Sequence, residues 1–317
     1  MSTAPSTPLH GRPGGPATTD ETAVPVRESR VRRLVLRTPP ELAVLVVIAA
    51  VLNLWNLGIN GNANEYYSAA VRSMTHSWSA FFFGTFDGAG LQTVDKPPLA
   101  LWIQALSARI FGFHSWAFLA PQALMGIAAT ALTYDLVRRR FGRAAGFIAG
   151  LALATTPTAV AVFRHNNPDA LLMLCSTLAL WATVRALETP HRTRWLVLAG
   201  VAVGLGFETK MATGLLVVPG IVAAWLWVRP GGLKRAAKQV ATFSATAAAV
   251  GLAWPIAVWL IPAGSRPWIS GTNDNSIWSL IFGYNGLGRV LGQSGGPGGA
   301  TGGGRGFGGG GGGGPFG

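Results

Sequence analysis

The chain has 317 residues, half of them hydrophobic and only 12% charged, with a formal net charge of +13 and a mean hydropathy of +0.38. A soluble domain carries about a quarter charged residues, so this composition excludes one. The positive charge is not a nucleic-acid signal, because the basic residues sit in short blocks between apolar runs, the pattern of cytoplasmic loops facing anionic lipid. One cysteine, Cys175, excludes an internal disulfide and a cysteine metal site.

Residues 1–26 are rich in Pro, Ser, Thr and Gly and do not have the layout of a cleavable signal. The block Arg27, Arg30, Arg32, Arg33 and Arg37 follows, and the first apolar run begins near Glu41. Residues 1–40 therefore read as a disordered, basic, cytoplasmic N-terminus leading into an uncleaved signal-anchor. Apolar spans are expected near 42–58, 116–137, 144–163, 169–187, 195–210, 212–228 and 240–262. The fold class is thus an all-α polytopic membrane protein with about seven transmembrane helices over residues 41–262.

The stretch 97–112 is short and carries Gln104 and Arg109. If it does not span, the blocks Arg138–Arg140 with Arg143, Arg192 with Arg194, and Arg229 with Lys234, Arg235 and Lys238 all join the N-terminal block inside. If it spans, those three blocks move outside. The first arrangement satisfies the positive-inside rule and makes 97–112 an amphipathic helix at the outer interface. The outer elements are then a long loop, 59–115, dense in aromatics, a tight loop at 164–169, a turn near 208–212 and a segment from 263 to 293. Residues 294–317 are almost all glycine and read as a disordered tail. The chain stops inside that glycine run, so a longer parent is expected.

On this topology the acids Glu65, Asp95, Asp169 and Glu208 all fall at ends of apolar segments on the outer face. Charge beside hydrocarbon costs several kcal/mol, about 3 at a helix centre, unless it serves a pathway or a site. Asp95-Lys96-Pro97-Pro98 opens the interfacial helix. Proline there is structurally ordinary, yet a lysine at a helix start beside headgroups is also a phosphate site. Asp169, after Asn166-Asn167-Pro168, is a good helix start and also part of a polar cluster with Arg164 and His165. Glu208 and Lys210 flank the later turn, either as an internal ion pair or facing the same cavity. The five histidines have no pairwise metal spacing, and there is no glycine-rich phosphate loop followed by lysine. A divalent cation held by Asp169 with Glu65 is an open alternative, with no spacing rule behind it.

Four segments carry a resemblance: 64–74 (NEYYSAAVRSM), 94–99 (VDKPPL), 167–172 (NPDALL) and Thr209-Lys210. In this order and on one face they resemble the GT-C glycosyltransferases, most nearly glycosyltransferase family 39, which includes the protein O-mannosyltransferases and the lipid A aminoarabinose transferase. The stretch 283–289 (GYNGLGR) and the glycine-rich tail resemble an actinobacterial and Gram-positive branch of that group. The resemblance covers roughly residues 40–290 and implies transfer of a sugar from a polyprenyl-phosphate donor, with inversion, to an acceptor on the outer face of the plasma membrane. It implies Glu65 or Asp169 as the catalytic carboxylate and Lys96, Lys210 and Arg72 as donor-phosphate ligands, with Asp95, Asn166, Asn167 and Glu208 on the acceptor side or behind the reacting groups. Implied partners are the lipid-linked sugar, a glycan, lipid or protein acceptor, and membrane lipid. Relatives carry an Asp-Glu pair that an ungapped alignment on Tyr67, Arg72 and Met74 puts at Ala63-Asn64, leaving Glu65 one residue late. They also continue through more spans, so a second polypeptide completing the fold is an expectation too. Two other readings stand beside this one: a transporter or flippase of a lipid-linked or anionic solute, and a non-catalytic assembly subunit.

Overall fold

The computed structural model describes residues 39–288; the expected N-terminal segment and glycine-rich tail lie outside them. The described residues are helical, with β-structure limited to isolated bridges between Thr85 and Thr93 and between Gln92 and Trp268. Helix α1 (Pro40–Leu54) is followed by α2 (Glu65–His76), α3 (Trp78–Phe83) and α4 (Leu99–Phe111). Then come α5 (Ser115–Thr155), α6 (Pro157–Phe163), α7 (Asp169–Glu188), α8 (Arg192–Lys210), α9 (Val218–Val228), α10 (Leu233–Gly251) and α11 (Ala253–Leu260). A π-helical segment, Ser279–Leu287, ends the described chain.

The expected spans at 116–137 and 144–163 correspond to α5 and α6. Gly142 breaks α5 with φ 87 and ψ 173, a conformation that costs glycine nothing. Beyond it Gly146 rests on Tyr134 and Arg138, and Gly150 on Tyr134 and Leu45, so the two segments fold back along each other as a helical hairpin. A second break comes at Thr156, because Pro157 has no N–H with which to continue the helix. Gly200 and Gly204 of α8 lie directly against the backbone of α10, the close approach that small residues permit between membrane helices.

Three helical stretches, Ser115–Thr155, Asp169–Glu188 and Arg192–Leu215, are long and apolar enough to cross a membrane. A fourth qualifies if α10 and α11, bent by 45°, form one broken span. The stretches expected to span at 42–58 and 212–228 are shorter than that: α1 has 15 residues, and α9 is shorter still. Met211 turns the chain at φ 46, a 3-10 turn runs to Leu215, and α9 has only 11 residues. Helix α4 is likewise too short to cross, at 13 residues. It packs with α2 and the start of α5 around Val71, Met74, Leu101, Ala105 and Phe118.

The bundle has two distinct ends. At one, Asp135 pairs with Arg138 and Arg139, Glu188 with Arg139, Arg140 and Arg185, and Glu41 with Arg143. At the other, the 59–115 loop, the 164–169 loop, the 208–212 turn and the 263–288 segment are joined by hydrogen bonds. The candidate site is built there.

Candidate active site

The turn before α4 is gripped from three sides. Val94 N–H donates to Gly84 O at 2.8 Å and Thr93 N–H to Trp268 O at 2.8 Å. Gly84, at φ 66, sits so close to Pro98 that a Cβ there would lie 2.8 Å from the proline Cβ. The Asp95 carboxylate is buried by this packing. Its Oδ2 accepts from Lys96 Nζ at 2.7 Å and from the Tyr284 hydroxyl at 3.1 Å. Asn285 Nδ2 donates to Asp95 O at 2.8 Å, and Asp95 N–H donates to the Tyr66 hydroxyl at 3.2 Å. Asp95 Oδ1 is buried with no partner among the described residues.

A second ion pair closes the ends of two helices. Asp169 begins α7 and Lys210 ends α8, and Lys210 Nζ donates to Asp169 Oδ1. Each residue suits its position, acid at a helix start and base at a helix end, by the macrodipole. Tyr67 links this pair to the first. Lys96 Nζ lies 5.8 Å from its ring centroid. Burial pushes the Tyr67 phenol far above its ordinary value, and the charges of Asp95, Tyr66 and Asp169 push the same way. One phenol therefore feels both carboxylates.

Asparagines lock the two outer loops together. Asn166, completely buried, accepts from Asn64 N–H at 2.7 Å and donates to Asn64 O at 3.0 Å and Ser68 Oγ at 2.8 Å. Asn64 Nδ2 donates to Asn167 Oδ1 at 3.0 Å. Gln104 and Gln122 donate to the backbone carbonyls of Asn166 and Asn167 at 3.1 and 2.6 Å. Arg164 donates to Leu52 O at 2.9 Å and Trp55 O at 2.7 Å, satisfying carbonyls left free at the end of α1. The asparagine bonds tie the loop that leads into Asp169 to the start of α2, where Tyr67 sits.

Three sequence candidates stand apart from the two ion pairs. Glu65 is exposed at the first position of α2, without a hydrogen-bond or ion-pair partner among the described residues. Asn64, one of the two positions aligned with the relatives' acidic pair, caps α2 through the N–H groups of Tyr66 and Tyr67. Arg72 is exposed and stacks over Phe113 at 5.7 Å, five residues and about 140° around α2 from Tyr67. Glu208 points to the broken span, where its Oε1 accepts from Trp254 N–H at 3.0 Å. Among the described residues no group of three or more His, Cys, Asp or Glu is placed to hold a metal.

Beside Asp169 a cleft of about 640 Å³ opens along α6, α7 and the connection between α8 and α9. Leu153, Val162, Leu172, Leu180, Leu216 and Val217 make its wall mostly apolar.

Residues 95–259 match the family of dolichyl-phosphate-mannose-protein mannosyltransferases. The chain belongs to this family. Over 255 residues it is 41% identical to the putative mannosyltransferase YkcB of Bacillus subtilis (strain 168), and 39% identical to YycA of the same organism. Those alignments cover 80% of this chain but 36% and 37% of the relatives, so the chain spans little more than a third of their length. ArnT from Cupriavidus metallidurans, solved bound to undecaprenyl phosphate, superposes with a TM-score of 0.57 at 21% identity, over 82% of this chain and 45% of ArnT. The Saccharomyces cerevisiae Pmt1-Pmt2 complex, solved with its sugar donor, gives 0.52 at 20% identity, over 71% and 33%. At these identities the likeness is one of fold, that of GT-C membrane glycosyltransferases.

The family match begins at Asp95 and takes in Lys96, Asp169, Glu208 and Lys210, but neither Glu65 nor Arg72. Sequence reasoning missed Tyr66, Tyr67 and Tyr284 as neighbours of the carboxylates. The first two read as interfacial aromatics within the 64–74 resemblance segment, with no role beside a carboxylate. The third lay in the 283–289 stretch, which marked a branch of the family without saying what it touches.

Proposed function

We propose that this chain carries the donor side of a membrane glycosyltransferase that moves a sugar from a polyprenyl-phosphate carrier to an acceptor on the outer face of the plasma membrane. The observation that carries the reading is the pair of lysine–carboxylate contacts, Asp95–Lys96 and Asp169–Lys210, both near enough for the Tyr67 phenol to feel their carboxylates. The adjoining apolar cleft suits a prenyl chain entering from the bilayer. The arginine-rich opposite end fits the cytoplasmic side by the positive-inside rule.

In this reaction the acceptor hydroxyl oxygen forms a bond to the sugar's anomeric carbon from the face opposite the phosphate. The anomeric carbon–oxygen bond breaks, its electron pair stays with the lipid phosphate, and the configuration inverts. Lys96 and Lys210 offset the negative charge that grows on the phosphate oxygens. A carboxylate takes the hydroxyl proton as general base. Asp169 suits that role better than Asp95, because its side chain is 32% exposed against 9% and so reaches an incoming acceptor. Asp95, held by Tyr284, orients Lys96. Glu65 has the exposure a base needs but no neighbour to orient it.

The test is transfer of labelled sugar from undecaprenyl-phosphate donors in membranes containing this chain, with Lys96→Ala and Asp169→Asn beside it. Transfer abolished by both substitutions is expected. Transfer undiminished by either overturns the reading. Donor translocated across the bilayer without transfer favours a flippase instead.

A further inference from the structure

Glu208 is a buried acid within a membrane helix, and neither ion pair uses it. Its surroundings explain its position. The span formed by α10 and α11 breaks at Leu252, and a break leaves N–H groups at the start of the second helix without intrahelical partners. In hydrocarbon such groups need another acceptor. Glu208 Oε1 accepts from one of them, the Trp254 N–H, at 3.0 Å. Trp254 then reaches the other way. Its indole Nε1 donates to Phe82 O at 2.9 Å, in the outer loop just before Gly84, which presses on Pro98.

These contacts form one connected line. Lys210 sits two residues from Glu208 on α8, and Lys96 two residues from Pro98. We propose that Glu208 is a positioning residue: through Trp254 it braces the Lys210 end of α8 against the Phe82–Pro98 segment and thereby sets the separation of the two ion pairs. The carboxyl serves as an acceptor, so glutamine substitutes for it and alanine does not. Trp254 carries the brace to Phe82 through its indole Nε1–H, so phenylalanine, which fills similar space, breaks it.

The proposal concerns geometry and stands or falls separately from the assigned reaction. Cys175, the single native cysteine, is replaced by alanine, and spin labels are placed at Ala69→Cys on α2 and Ala212→Cys in the turn after Lys210. Both positions are exposed. Distances are measured on the full chain in lipid nanodiscs by double electron–electron resonance. The parent and Glu208→Gln should give one narrow distribution at the same distance. Glu208→Ala and Trp254→Phe should each broaden or displace it. A purely stabilising role would instead lower the melting temperature and leave the distribution unchanged. If Glu208→Ala does not insert, Trp254→Phe decides, since it keeps the bond to Glu208. An unaltered distribution in a folded Trp254→Phe protein overturns the proposal.

Discussion

The hydroxyl of Tyr284 donates to Asp95 Oδ2 at 3.1 Å across 189 residues of sequence. The Asp95–Lys96 pair thus belongs as much to the segment after the last described span as to the loop in which it lies. Replacing Tyr284 by phenylalanine removes one donor to a carboxylate that already has an unpartnered oxygen. A hydrogen bond to a charged group contributes about 1.5–3 kcal/mol. Tyr284→Phe should therefore lower stability by about that amount, read as a fall in melting temperature in nanodiscs; an unchanged melting temperature would show that the bond contributes nothing.

Asn166 is the centre of the contact between the two outer loops. Asn166→Ala removes the acceptor for Asn64 N–H and the donor to Asn64 O and Ser68 Oγ. Leaving buried polar groups unpaired costs about 1–3 kcal/mol each. We expect a marked drop in melting temperature in detergent. Asn166→Asp keeps the Oδ1 acceptor but buries a carboxylate oxygen against the Asn64 carbonyl, and should fall at least as far as the alanine variant.

Arg72 provides a contrasting case. It is exposed and stacks on Phe113, away from Tyr67. Arg72→Ala should leave undecaprenyl-phosphate affinity within about twofold of the parent, a change of under 0.5 kcal/mol. A tenfold loss would restore it as a phosphate ligand.

Alkaline pH should loosen this end of the molecule. Burial first, and then the Asp95 charge, pushes the Tyr66 and Tyr67 phenols well above their ordinary value, which in the unfolded chain is about 10. Below that pH the phenols are neutral in both states. Above it the unfolded chain ionises while the folded phenols do not, so stability falls as pH rises. Melting temperatures measured from about pH 9 to 11 should decline more gently for Tyr67→Phe than for the parent.

Much of this was legible in the sequence, because helical membrane architecture follows from hydropathy and basic loops from their arginines. The sequence places Asp169 and Lys210 on one face but offers Glu208 as the lysine's ion-pair partner; that Lys210 pairs with Asp169 instead comes from the structure. The π-helical return of residues 279–287 to Asp95 left no such mark, since contact across 189 residues has no local signature. The length of the 212–228 element was misjudged for a different reason. Its composition is mostly apolar, but residues 211–215 form a 3-10 turn and Pro219 sits in the first turn of α9, so the helix begins only at Val218. Glu208 read as an acid near a site; that it satisfies a helix break depends on a bend between α10 and α11 that hydropathy does not register.

Lys96 and Lys210 together are proposed to form one site for a lipid-linked phosphate. Titration of undecaprenyl phosphate into the full chain in nanodiscs, beside Lys96→Ala and Lys210→Ala, tests it most directly. Saturable binding by the parent and a loss of at least about tenfold, or about 1.4 kcal/mol, in each variant are expected. Equal affinity in the parent and both variants would contradict it.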